Sequence, residues 1–113
     1  MRKQHPEMLT KRSAMETVKR FAGEVKNSGV HLSKVILFGS YAFGKPHKWS
    51  DIDVVLVAEE FTGTGFDDVA YFARINNKKP YIRIEAKTFP PAYFKKGDPF
   101  IDEVKRTGIE IKI

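Results

Sequence analysis

The chain has 113 residues, of which 42% are hydrophobic and 9 are phenylalanine. That suits one domain with a real core, at the usual roughly 100 to 200 residues per domain. It contains no cysteine, which excludes disulfide frameworks, thiolate zinc sites and thiol nucleophiles. With 20 Lys plus Arg against 14 Asp plus Glu, the formal charge is +6; such a balance attracts phosphates without choosing among nucleotide, nucleic acid and lipid surface.

Residues 1–12 read as a basic arm. "MRKQHPEMLTKRSAMETVKRF" lacks the apolar stretch of a secretory signal, and no run approaches the 18 or so apolar residues of a membrane span. The expectation is a soluble, cytoplasmic protein with one domain over 13–113. "SAME" fits a capping box, Ser13 with Glu16, opening a helix. Met15, Val18, Phe21, Ala22 and Val25 follow at helical spacing until Asn27-Ser28-Gly29 ends it. "KVILF" (34–38) is a continuous apolar run and predicts a strand covered on both faces. Gly39 and Gly44 then flank one helical turn, with Tyr41 and Phe43 packing it.

"DIDVVLVA" (51–58) predicts a second interior strand. "FDDVAYFARINN" reads as a helix with Phe66, Val69, Ala70 and Phe72 or Ala73 inward, and Asp67 and Asp68 in its first turn, where the dipole favours acids. "PYIRIEAKTF" alternates, with Ile82, Ile84 and Ala86 on one face and Arg83, Glu85 and Lys87 on the other. "PPAYFKKGDP" reads as a loop, "FIDEVKRTG" as a short helix closed by Gly108, and "IEIKI" as a last strand, either sealing its own sheet or pairing with a copy or partner. The order predicts an α/β (α+β) fold, one small domain with a mixed sheet of about four strands and helices against it.

The chemistry concentrates in "LFGSYAFGKPHKWSDIDVVLV" (37–57). Asp51 and Asp53 are two apart and so share a strand face. Two carboxylates this close need water, a proton or a cation, and a divalent metal is the most economical answer. A strand turning at Gly39-Ser40 offers backbone amides and a hydroxyl, an anion cradle suited to phosphate. An anion cradle beside a carboxylate-bound cation is what phosphoryl or nucleotidyl transfer requires. Alone, a "GS" is usually a turn and a "DxD" a solvated strand end; together they should arise by chance on the order of once in a thousand chains this long.

Gly39-Ser40, ten residues, then Asp51-Ile52-Asp53 resembles the signature of the minimal nucleotidyltransferases, in the DNA polymerase β-type superfamily. The leading amphipathic helix, a third strand bearing a carboxylate and the ending "DPFIDEVKRTGIEI" extend the likeness over 13–113. The resemblance implies that Gly39 and Ser40 seat the triphosphate of a nucleoside triphosphate, with ATP the expected one by the family's habit. It implies that Asp51 and Asp53 ligate two Mg²⁺ ions, one on the triphosphate and one at the attacking oxygen. Glu85 matches the family's third carboxylate, which ligates or deprotonates at the nucleophile; its plainer reading is an ion pair with Arg83 or Lys87.

The resemblance further implies a hydroxyl acceptor and a helical HEPN-domain partner, with the chain acting as antitoxin. In so small a domain the acceptor is expected from outside. The alternative is a non-catalytic subunit that binds nucleotide or neutralises its partner by contact. Lys48, with Lys45 and His47, lies between cradle and carboxylates and is a candidate for phosphate or nucleic acid, against plain solvated loop charge. Trp49 is a candidate to stack a base or to cover the sheet edge, while His5 and His31 lack metal-ligand spacing. Nucleic-acid binding alone would account for the charge but not for Asp51 and Asp53.

Overall fold

The computed structural model describes residues 9–113; residues 1–8 of the expected arm, His5 among them, lie outside the described residues. Helix α1 runs Lys11–Asn27. Its cap is Thr10, whose hydroxyl accepts the Ser13 amide at 2.9 Å. The helix therefore starts before the expected Ser13–Glu16 box: a hydroxyl with the same capping chemistry stands one turn earlier, and Lys11 and Arg12 join the helix. Ala14, Val18, Phe21, Ala22 and Val25 make its buried stripe, and Gly29, at φ 109°, follows its end.

Strands β1 (Leu32–Phe38), β2 (Ile52–Ala58), β3 (Ile84–Phe89) and β4 (Ile109–Glu110) form one sheet in the order β3-β2-β1-β4. β1 is antiparallel to β2 and to β4, whereas β2 and β3 are parallel. The mixed four-stranded sheet is as the sequence predicts. On one face Val35, Leu37, Ile52, Val54, Leu56 and Ile84 pack with α1. On the other, Ile36, Val55 and Val57 meet Phe94, Ile101 and Val104 of α4 (Pro91–Lys96) and α5 (Pro99–Thr107). Covering both faces is why β1 and β2 are continuous apolar runs rather than alternating ones.

The segment 65–77 departs from the expected single helix. It breaks into α2 (Gly65–Asp68), a 3₁₀ turn (Val69–Tyr71) and α3 (Ala73–Asn76). Phe72, at φ −140°, interrupts the run and is itself buried. Phe66 and Val69 face solvent, with 89% and 41% exposure, and Ala70 is exposed too. The inward residue of α2 is Asp68, which fixes the helix's rotation through its hydrogen bonds.

The strand expected from Pro80 starts only at Ile84. Proline lacks the ladder N–H, and Lys79–Tyr81 form a 3₁₀ turn that leaves Ile82 exposed. Glu24 of α1 holds this turn, accepting from Lys78 Nζ at 2.6 Å and Tyr81 Oη at 2.5 Å. Asn76 Nδ2 donates to the carbonyls of Tyr81 and Ile84. The expected loop after β3 holds a helix, α4, because Pro91 suits a first helical position; Gly97, at φ 83°, follows it. Asp98 caps α5 by accepting the Ile101 amide at 2.7 Å. In the last expected strand only Ile109–Glu110 pair in the ladder, and the Ile111 amide adds a bond to the Val35 carbonyl.

Candidate active site

β1 ends at Phe38 and the chain reverses through a 3₁₀ turn at Gly39–Tyr41. Gly39 has φ 76°, and a β-carbon on it would lie 2.3 Å from Asp53 Oδ2. Only glycine meets both demands, the left-handed backbone and the close approach. The amides of Ala42 and Phe43 both donate to the Gly39 carbonyl, at 3.0 and 2.8 Å. Gly44 closes the turn, its β-position 3.4 Å from the Ser40 Cα. Ser40 is thus enclosed between two glycines, one of them pressed against a carboxylate. The two halves of the GS…DxD pattern are in contact.

In β2, Asp53 continues the side of Val55 and Val57, which face α4 and α5. In register it has Phe38 on one flank and Glu85 on the other. Pleating puts paired residues on the same face, so Glu85 stands beside Asp53. Asp51 is exposed at the strand's entry, and Asp53 is half-buried. Burial, then the charges of Glu85 and Asp51, push the Asp53 carboxyl above its ordinary value; Lys87, next along the same face of β3, opposes them.

Among the described residues, neither hydrogen bond nor ion pair engages Asp51, Asp53 or Glu85. Among the described residues, no ion pair joins Glu85 to Lys87. No three His, Asp or Glu side chains among the described residues are already drawn around one point. The donor set nevertheless suits a divalent cation: three carboxylates with hard oxygen donors, two of them exposed and the third half-buried beside them.

The loop between cradle and carboxylates is ordered by its own bonds. Ser50 Oγ accepts the His47 amide at 2.9 Å, and the Ser50 amide returns to the His47 carbonyl at 2.9 Å. Lys45 and Lys48 point to solvent. Trp49 is 64% exposed and Phe43 68%, so Trp49 does not cover the sheet edge and Phe43 does not pack the turn. Tyr41 does, at 2% exposure. Its hydroxyl accepts from Arg83 Nη2, which also donates to the carbonyls of Lys48 and Ser50. By alternation alone Arg83 is one more charge on a polar strand face; only the fold shows it reaching back to the motif.

Asp68 is the other residue the sequence hid. It is fully buried. Its carboxylate accepts from the Thr62 amide (2.8 Å), Thr62 Oγ1 (3.1 Å), the Gly63 amide (2.9 Å) and Thr88 Oγ1 (2.7 Å). Burial pushes its pKa up, but these bonds together hold it below the ordinary value. It ties the 61–64 loop to β3 and plays no part in the carboxylate group on the other face. A groove of about 610 Å³ between α1 and β4, lined by Lys11, Met15, Lys19 and Ile111, includes none of the candidate residues.

No described helix is long and apolar enough to cross a membrane. Residues 18–111 match the nucleotidyltransferase domain family. The chain is 32% identical over 89 residues to the putative protein adenylyltransferase MJ0141 of Methanocaldococcus jannaschii, covering 71% of this chain and 79% of that one. In structure it is similar to a putative nucleotidyltransferase from Sulfolobus solfataricus: TM-score 0.64, 23% identity, 88% of this chain and 80% of that. It is also similar to a toxin–antitoxin crystallised with AMP-PNP: TM-score 0.57, 16% identity, 83% of this chain and 72% of that. At such identities the two structures speak for the fold alone. The match over 18–111 and the 32% relative carry the assignment: the chain belongs to the nucleotidyltransferase domain family, of the DNA polymerase β-type superfamily.

Proposed function

We propose that the chain transfers a nucleoside monophosphate, AMP from ATP, to a hydroxyl on a protein acceptor. The observation that carries this reading is the contact of Gly39 with Asp53, with Glu85 in register beside it. The 32% relative, a putative protein adenylyltransferase, supports adenylyl transfer to protein. The helical HEPN-type partner, with the chain as its antitoxin, comes from the family resemblance; a toxin–antitoxin crystallised with AMP-PNP shares the fold.

In this reading Gly39 and Ser40 hold the triphosphate, with Lys48 close by in sequence as a further cation for its oxygens. Asp51, Asp53 and Glu85 are the metal ligands. Two bound Mg²⁺ ions supply charge neutralisation on the phosphates and a more acidic acceptor hydroxyl. The acceptor oxygen bonds to the α-phosphorus, the bond to the β-phosphate's bridging oxygen breaks, and pyrophosphate leaves. Glu85, exposed at the edge of the carboxylate group, takes the hydroxyl proton. The half-buried Asp53 fixes the site's position, while the exposed Asp51 and Glu85 swing to complete it.

The test uses ATP labelled at the α-phosphate, Mg²⁺ and the partner protein. Label should move to the partner in the presence of the wild-type chain and not with Asp51→Asn/Asp53→Asn. A second reading, a subunit that binds nucleotide or neutralises by contact without turnover, is favoured by one observation: the described carboxylates are not gathered around a single point. If no label moves and the double variant still neutralises the toxin, that second reading replaces the first.

A further inference from the structure

Arg83 reaches back from the entry of β3 to the segments around the motif. Its Nη2 donates to the Tyr41 hydroxyl at 3.2 Å, the Lys48 carbonyl at 3.1 Å and the Ser50 carbonyl at 2.7 Å. Its own carbonyl accepts the Ile52 amide at 2.9 Å. Asp51 is therefore flanked by two Arg83 contacts, one to the residue before it and one to the residue after. Tyr41 is the last residue of the turn that begins at Gly39. Arg83 lies two residues before Glu85, at the entry to β3. One guanidinium thus reaches the cradle turn and the intervening loop up to the residue before Asp51, while the bond to Ile52, where β2 begins, comes from the main chain at Arg83.

The segment carrying it is held independently. Glu24 grips Lys78 and Tyr81, and Asn76 grips the carbonyls of Tyr81 and Ile84. All three bonds leave one nitrogen whose direction the planar, always charged guanidinium fixes, whereas lysine carries a freely turning ammonium on a flexible stem. Carbonyls accepting from a charged donor are held more firmly than by a neutral one.

We propose that Arg83 is a positioning residue that fixes the distance between the phosphate cradle and the metal-binding carboxylates, resting on the nucleotidyltransfer reading above. Its side chain holds the carbonyls of Lys48 and Ser50 so that Asp51 enters the strand at a set angle. It holds Tyr41 so that the turn stays with Gly39 against Asp53. It makes no contact with substrate in this role.

The chain has one tryptophan, Trp49, lying between the two residues whose carbonyls Arg83 holds. Its fluorescence anisotropy reports on the clamp without any need for activity. In Arg83→Gln, with far-UV circular dichroism unchanged, Trp49 anisotropy should fall. Transfer should lose about 100-fold in kcat, as when reacting groups shift by about 1 Å, with a much smaller change in KM for ATP. Arg83→Lys should fall between the two. A folded Arg83→Gln with wild-type anisotropy and wild-type kcat overturns the proposal. Should the glutamine variant not fold, a folded Arg83→Lys with wild-type values overturns it equally. If the wild-type chain transfers no nucleotide, the functional reading fails, and the anisotropy comparison still decides whether Arg83 fixes the loop.

Discussion

Asp53 and Asp68 both sit beside β3, and both belong to short acidic pairs in the sequence, yet their surroundings are opposite. Asp68 is fully buried, meets four hydrogen-bond donors and titrates low. Asp53 is half-buried, has no described hydrogen-bond or ion-pair partner, is crowded by Glu85 and Asp51 and titrates high. A carboxylate saturated by donors is finished as structure. One left short of donors among like charges is incomplete until something positive arrives, and it stands against a glycine whose β-carbon it would strike. The fold thus separates a structural acid from a candidate catalytic one, although "DD" and "DID" look alike on paper.

Substitutions should break that contrast in opposite directions. Asp53→Asn is expected to cut nucleotide transfer on the order of 10³-fold, the scale of losing one preorganised electrostatic group. Its melting temperature, by calorimetry, should stay level or rise, since a like charge is removed. Asp68→Ala should do the reverse. With the Thr62, Gly63 and Thr88 donors left without their acceptor, unfolding in urea should show a loss of about 3 kcal/mol, while the folded fraction keeps its specific activity.

Gly39→Ala joins the two effects. The new methyl group must push the Asp53 carboxylate aside, so activity should drop by about 100-fold, and the strained left-handed backbone should cost about 1–3 kcal/mol.

Acid titration gives a smaller and more selective readout. Asp68 has a folded pKa below its ordinary value, so its contribution is present above that ordinary value and is lost as pH falls through the folded one. Asp68→Asn should therefore flatten the loss of stability in acid. Asp53 has the opposite sign: its raised value means stability declines as pH rises through it, and Asp53→Asn should remove that decline.

The smallest effect belongs to the exposed pair of His31 and Glu60, with Nδ1 2.6 Å from Oε2. The hydrogen bond and charge of Glu60 raise the His31 pKa. The pair's contribution is full below the ordinary histidine value and fades as pH rises through the folded one, so His31→Ala should be mildest above it. Stability curves at several pH values test this.

How much of this was legible depended on the range of the interaction. The α1 stripe, the runs of β1 and β2 and the GS…DxD spacing are local patterns, and they hold in the fold. The Gly39–Asp53 contact was implied by the motif but not its closeness, which arises from β1–β2 pairing. Phe66 looked inward by helical periodicity, but Asp68 won that face through donors from Thr62, Gly63 and Thr88, and no spacing announces such partners. Arg83 looked like surface charge because the acceptors that tie it to the motif, a hydroxyl and two main-chain carbonyls, are at least 33 positions away. Glu85 could be named from the resemblance, but its place beside Asp53 needed the parallel register of β2 and β3.

The central claim is that Asp51, Asp53 and Glu85 hold divalent metal for a nucleotide seated at Gly39-Ser40. It is tested most directly by titrating a non-hydrolysable ATP analogue into the chain by calorimetry, with and without Mg²⁺. Wild type and Asp67→Asn, an exposed neighbour outside the site, should bind only with Mg²⁺, and Asp53→Asn should lose that binding while remaining folded. Metal-independent binding, or undiminished Mg²⁺-dependent binding by Asp53→Asn, would contradict the account.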